Sequence, residues 1–154
     1  MNKNRLYNIL FPAWLFYLLP TPVWLIILPA NLLIDSLVLI FVAGKIGLNK
    51  KELWKQSILK VWAIGFISDI LGALLILAVA FLADKICPNW NTFYFPGATI
   101  IAMPGVFISA VCIYYLNKRF SFEKSNLDDD TKIRLCKALA IITAPYAMLI
   151  PLYG

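Results

Sequence analysis

No histidine occurs anywhere in the 154 residues of the chain. That absence removes imidazole general bases, the Ser-His-Asp arrangement and histidine ligation of a metal or haem together. Charge is also scarce: Asp, Glu, Lys and Arg make up 14% of the sequence, against 62% for the hydrophobic set. A soluble domain carries about a quarter of its residues charged and about half apolar. With a mean hydropathy of +0.81 the chain has too little polar surface to cover a water-soluble particle, so its solvent is lipid. Cysteine is limited to Cys87, Cys112 and Cys136, far apart and without a Cys-x-x-Cys, which leaves neither a thiol-redox centre nor a zinc site. These gaps argue for a non-enzymatic protein with no catalytic residue, no metal and no cofactor.

What is present is a series of long apolar runs. They define the fold class as an all-α integral membrane protein, a compact bundle of about five transmembrane helices, several of them proline-kinked. The expected spans are 6–19, 22–44, 58–83, 98–116 and 133–152, forming one transmembrane domain over residues 1–154. The first run is short of the roughly 20 residues a perpendicular helix needs. It superficially resembles a secretory signal, but no small-x-small site follows, and the segment is expected to stay attached. Pro20 and Pro22 end it, Thr21 is a candidate N-cap for the next helix, and Pro29 should bend that helix and free carbonyls near Asn31 and Asp35. Pro104-Gly105 should kink or interrupt the fourth run, and Pro145 and Pro151 punctuate the last. Asp128, Asp129 and Asp130 precede that last run, where a helix dipole favours carboxylates.

The net charge of +6 is confined to inter-helix segments rather than spread over a nucleic-acid-binding face, and no nucleic-acid partner is expected. Lys45, Lys50, Lys51, Lys55 and Lys60 form one cluster; Lys118, Arg119, Lys124, Lys132, Arg134 and Lys137 form another. Under the positive-inside rule this predicts a multi-pass protein of the cell membrane, with loops 45–60 and 117–132 cytoplasmic and the aromatic-rich loop 84–97 external. A weak internal similarity offers an alternative. Phe11-Pro12 with Pro20 is echoed by Phe95-Pro96 with Pro104, which predicts four full spans plus two half-helices in a tandem repeat.

Each of the two most apolar runs carries one carboxylate. Asp35 lies ten residues before Lys45 and Asp69 nine after Lys60, so at 1.5 Å rise per residue both sit about 15 Å deep in a core of about 30 Å. Antiparallel neighbours joined by a short loop would hold them at one level. Asn31 is one turn from Asp35, Ser36 and Ser68 adjoin the carboxylates, and Gly65, Gly72 and Ala73 flank Asp69 at helical spacing. A charged aspartate at this depth costs roughly 2.5–3.5 kcal/mol on insertion scales, and such residues face a protein interior or a wet cavity. No basic residue occurs at that level.

Two expectations follow for the pair. Asp35, Asp69, Asn31, Ser36 and Ser68 form a proton- or cation-binding site in a small transporter or channel protomer, acting as a homo-oligomer in the lipid bilayer. Alternatively, the aspartates are polar glue in a non-catalytic membrane subunit or protective protein that binds a partner subunit. The Gly-x-Gly-Asp signature of intramembrane aspartyl proteases is absent around both residues. Topology itself is testable. Five spans put residue 2 inside and the repeat puts it outside, so an Asn2→Cys variant in a Cys87→Ser background is expected to resist a membrane-impermeant maleimide on intact cells. Labelling would establish the repeat arrangement.

Overall fold

A computed structural model describes residues 13–87, 95–123, 125 and 127–150. Every regular element among them is helical. Helix α1 spans Trp24–Ile46, α2 Lys50–Ile86, α3 Gly97–Leu116 and α4 Asp129–Ile142; single 3-10 turns cover Ala13–Tyr17 and Tyr146–Leu149, and α3 runs on into a π-turn over Asn117–Ser121. Three helices are long and apolar enough to cross a bilayer, α1, α2 and α3 with its π-turn, and they mark the chain as membrane-embedded.

The α1–α2 hairpin is specified locally. Gly47 takes the left-handed conformation at φ 78°, its amide donates to the Gly44 carbonyl, and the Leu48 amide donates to that of Ala43 at 2.9 Å. This is a Schellman closure, and only glycine meets its φ without steric cost. Asn49 then caps α2, accepting from the Glu52 amide at 3.4 Å while its own amide group donates back to the Glu52 carboxylate. A three-residue connection leaves the helices no choice but antiparallel contact. Trp62 Nε1 donates to the Leu28 carbonyl at 3.0 Å across that contact.

Helix α2 has 37 residues and so a length of about 55 Å, well beyond the hydrocarbon thickness of about 30 Å. Its first turns carry Lys50, Lys51, Lys55 and Lys60 and extend past the apolar layer at what is here called the basic end. Lys60 Nζ donates to the Phe120 carbonyl at 3.1 Å, fastening α2 to the π-turn. At the same end Asp128 caps α4, and hydrogen bonds from the Thr131 side chain and amide hold its carboxyl below the usual carboxylate range. That use of Asp128 is the one expected for a carboxylate at a helix N-terminus.

Several expected boundaries change. Helices α1 and α3 run on through Pro29 and Pro104, so no separate half-helix lies between Pro96 and Pro104 as the tandem repeat requires. Helix α1 starts at Trp24, with Val23 rather than Thr21 in the capping position. Of the expected span 6–19, residues 1–12 lie outside the described residues, and the remainder holds the turn Ala13–Tyr17. The expected span 133–152 is not one helix. Helix α4 stops at Ile142, and Pro145, which has no amide to donate, separates it from the turn Tyr146–Leu149. Fourteen residues make about 21 Å of helix, too short to cross alone.

In the packed bundle α1 touches α2, α2 touches α3, α3 touches α4, and α4 returns to α1. The apolar interior divides into two clusters. One, toward the basic end, joins Leu39, Ala43, Val61, Ile113, Leu135 and Leu139; the other joins Trp14, Tyr17, Ala73, Ile76, Ile101, Val106 and Met148. Between α2 and α3, whose contact is the most extensive, backbone meets backbone: a Cβ on Gly105 would lie 2.6 Å from the Gly72 carbonyl oxygen, and one on Gly72 2.7 Å from that of Gly105. Close approach of this kind drives helix association where lipid tails are as apolar as the side chains.

Glycine at these two positions is therefore expected to be required. Gly105→Ala should lower stability by about 1–3 kcal/mol through overpacking. Gly44→Ala, whose added Cβ meets only the flexible end of Lys50, should be neutral or stabilising by up to about 1 kcal/mol. Thermal unfolding of the two variants side by side in one detergent checks the contrast.

Candidate functional site

A polar layer separates the two apolar clusters. On α1 it holds Asn31 and Asp35; on α2 Gly65, Ser68, Asp69 and Gly72; on α3 Ser109; and after α4 Thr143. Both aspartates are buried at 3% exposure, which orients them to the bundle interior despite the wide lipid-facing surface of α1. The turn at Gly47 sets the register that brings them to one level. Gly65 gives Asp35 its place: a Cβ there would stand 3.4 Å from Asp35 Oδ2, so the carboxylate packs against bare α2 backbone one turn from Asp69.

The two carboxylates line one cavity of about 260 Å³ together with Tyr17, Asn31, Ile34, Gly65 and the residues 142–147. Among the described residues neither Lys nor Arg lines it. Ser109 Oγ donates to Asp69 Oδ1 at 2.8 Å. Asp35 hydrogen-bonds the Thr143 hydroxyl, which also lies 2.9 Å from the Leu139 carbonyl. The break after α4 forms one wall. Its geometry is held by the Tyr146 hydroxyl, which donates to the Ile141 carbonyl at 2.6 Å, and by Thr99 Oγ1, which donates to the Leu149 carbonyl at 3.0 Å.

Of the five residues expected at the site, Asp35, Asp69 and Asn31 line the cavity and two do not. Ser68 is fully buried, but its hydroxyl donates back along its own helix to the Ile64 carbonyl at 2.7 Å. Ser36 is half-buried on α1 and does not line the cavity. A residue adjacent in sequence is about 100° around a helix, which is why both serines miss. Ser109 and Thr143 take the places beside the carboxylates that these two were expected to hold. Ser109 had a signal: it lies nine residues before Lys118, the same depth count that locates Asp69 from Lys60. Thr143 had only its polarity within an apolar run.

No group of three or more His, Cys, Asp or Glu side chains able to hold a metal ion occurs among the described residues. A second cavity near the basic end is larger, about 450 Å³, but two of its polar groups are spent on the fold: Ser57 donates to the Leu53 carbonyl and Lys60 to that of Phe120. A third, of about 250 Å³, is lined by Glu52, whose carboxylate accepts from Asn49 and Gln56; among the described residues the aspartate cavity is the one lined by two buried carboxylates. No family model matches the chain, and no curated protein or solved structure is similar to it.

Removing Ser109 Oγ leaves a buried carboxylate oxygen without its donor, for which the cost is about 1–3 kcal/mol. Ser109→Ala is expected to be destabilising by that amount, and Ser109→Ala with Asp69→Leu to cost less than the two single changes added together. Unfolding of the four proteins in detergent completes the cycle.

Proposed function

We propose that the chain is a small proton- or cation-linked transporter or channel protomer, with Asp35 and Asp69 as the binding pair and Asn31, Ser109 and Thr143 as supporting groups. The observation that carries this reading is one cavity lined, among the described residues, by two buried carboxylates and by no cation. Such a pair shares a proton or admits a cation, and intramembrane carboxylates mark ion and proton pathways.

A second observation points the same way. Helix α4 belongs to the cluster at the basic end, Met148 beyond the break belongs to the opposite one, and the break falls at the aspartates. Irregular backbone at membrane depth is tolerated where it is buried in protein or lines a water-filled cavity, and discontinuous helices build the binding sites of many transporters. The topology that goes with this function has α1, α2 and α3 as full crossings, α4 and its following turn as a broken one, and the segment before α1 as the fifth. Loops 45–60 and 117–132 would then face the cytoplasm and 84–97 the exterior of the cell membrane. Four or five crossings are few for a self-contained alternating-access machine, so the working unit is a homo-oligomer.

The alternative of a non-catalytic membrane subunit draws on the Ser109–Asp69 hydrogen bond and the glycine contact of α2 with α3, both of which serve as packing devices. Flux separates the two. Purified protein in liposomes is expected to carry protons or alkali cations, with Asp35→Asn and Asp69→Asn each reducing flux more than about tenfold at unchanged detergent-extracted size. Equal flux in wild type and both variants, or none in any, favours the subunit.

A further inference from the structure

The carboxylates are a minority of the cavity wall. Apart from Asn31 and Thr143, the other side chains are apolar or aromatic, among them Ile34, Ile142, Pro145 and Ala147, with the two tyrosines Tyr17 and Tyr146. A dehydrated alkali or divalent ion needs about six oxygens in a close shell, whereas here one oxygen of Asp69 is already committed to Ser109. The volume of about 260 Å³ equals the liquid share of about nine waters at roughly 30 Å³ each. That is the size of a molecule with about ten non-hydrogen atoms. Tyrosine rings attract cations through their faces.

The end of α4 adds to the selection for positive charge. Ile142 and Thr143, its last residue and C-cap, both line the cavity, so the negative end of that helix dipole lies at the same space as the two carboxylates. Asp35, 3% exposed, has the Thr143 hydroxyl as its hydrogen-bond partner, and among the described residues no cation lines the cavity to meet its charge. At the rim, Ile34, Ile142 and Tyr146 are 43%, 52% and 50% exposed on the flank of the bundle. A ligand arriving there comes through hydrocarbon.

We infer that the aspartate cavity binds a lipophilic organic monocation of about ten non-hydrogen atoms, an aryl or alkyl ammonium, taken up from the bilayer between α1 and the broken end of α4. This rests on the transport reading for the purpose of the site, but not for its chemistry. The charged nitrogen lies between Asp35 and Asp69, and the apolar body lies against Ile34, Ile142 and the tyrosine rings.

The test is equilibrium binding to the full chain in nanodiscs, with phenyltrimethylammonium as the probe and tert-butylbenzene as its uncharged counterpart of the same shape. The cation is expected to bind saturably, and the hydrocarbon not to displace it. Asp35→Asn and Asp69→Asn should each weaken binding more than about tenfold. Ala147→Phe, which adds bulk at the exposed edge of the cavity and leaves both carboxylates in place, should weaken organic-cation binding more than about tenfold. Binding that is unchanged by Ala147→Phe, or displaced equally by tert-butylbenzene, or seen only with sodium or potassium, overturns the inference. Binding without flux removes the transport reading alone; flux without binding removes this inference alone.

Discussion

A carboxylate in hydrocarbon must find a proton, a cation, water or hydrogen-bond donors at its own depth, because nothing else there can solvate it. That demand organises the interior of this bundle. Each helix contributes apolar side chains, and at a single level each contributes something else: an amide and a carboxylate from α1, a carboxylate flanked by glycines from α2, a hydroxyl from α3, and a hydroxyl where α4 ends. The two apolar clusters are the consequence, since one continuous core would have required the polar groups to be absent.

Register is what makes the layer possible. A one-residue slip between α1 and α2 would rotate Asp35 by about 100° relative to the bundle, away from Gly65 and toward lipid. The Schellman closure at Gly47 and the reciprocal Asn49–Glu52 cap fix that register with local bonds alone. Between α2 and α3 the fixing is steric, through Gly72 and Gly105, and it carries Ser109 to within 2.8 Å of Asp69. Neither device uses the carboxylates. The level of the site is thus set by contacts outside it.

Depth was legible in the sequence and rotation was not. Counting residues from the nearest lysine places Asp35 and Asp69 at one height, and the charge clusters mark the ends of α1, α2 and α3 with errors of a few residues, apart from the early start of α2 at Lys50. Which way a side chain points around its helix depends on a contrast between apolar and polar faces, and helices apolar all round offer none. Ser36 and Ser68 were misplaced for that reason, Ser68 also because a buried serine can satisfy itself on the carbonyl four residues back. The long final run concealed its break because Ile, Ala, Met and Leu continue on both sides of Thr143–Pro145. Proline marked the break in that run, whereas in α3 the helix passes through Pro104 without interruption.

Helix α2 has a mechanical property that follows from its length. It is a rod whose closest neighbour contact, at Gly72, sets its backbone against that of Gly105, with Ile76 and Ser109 packed beside it. From Gly72 to its first residue, Lys50, is about 33 Å of helix, so a tilt of about 10° about that point displaces the tip by about 6 Å. Asp69 sits three residues from the pivot and would barely move, while the Lys60 attachment to the π-turn and the hairpin into α1 would travel with the long arm. The rod thus converts a small change of angle inside the membrane into a displacement at the basic surface.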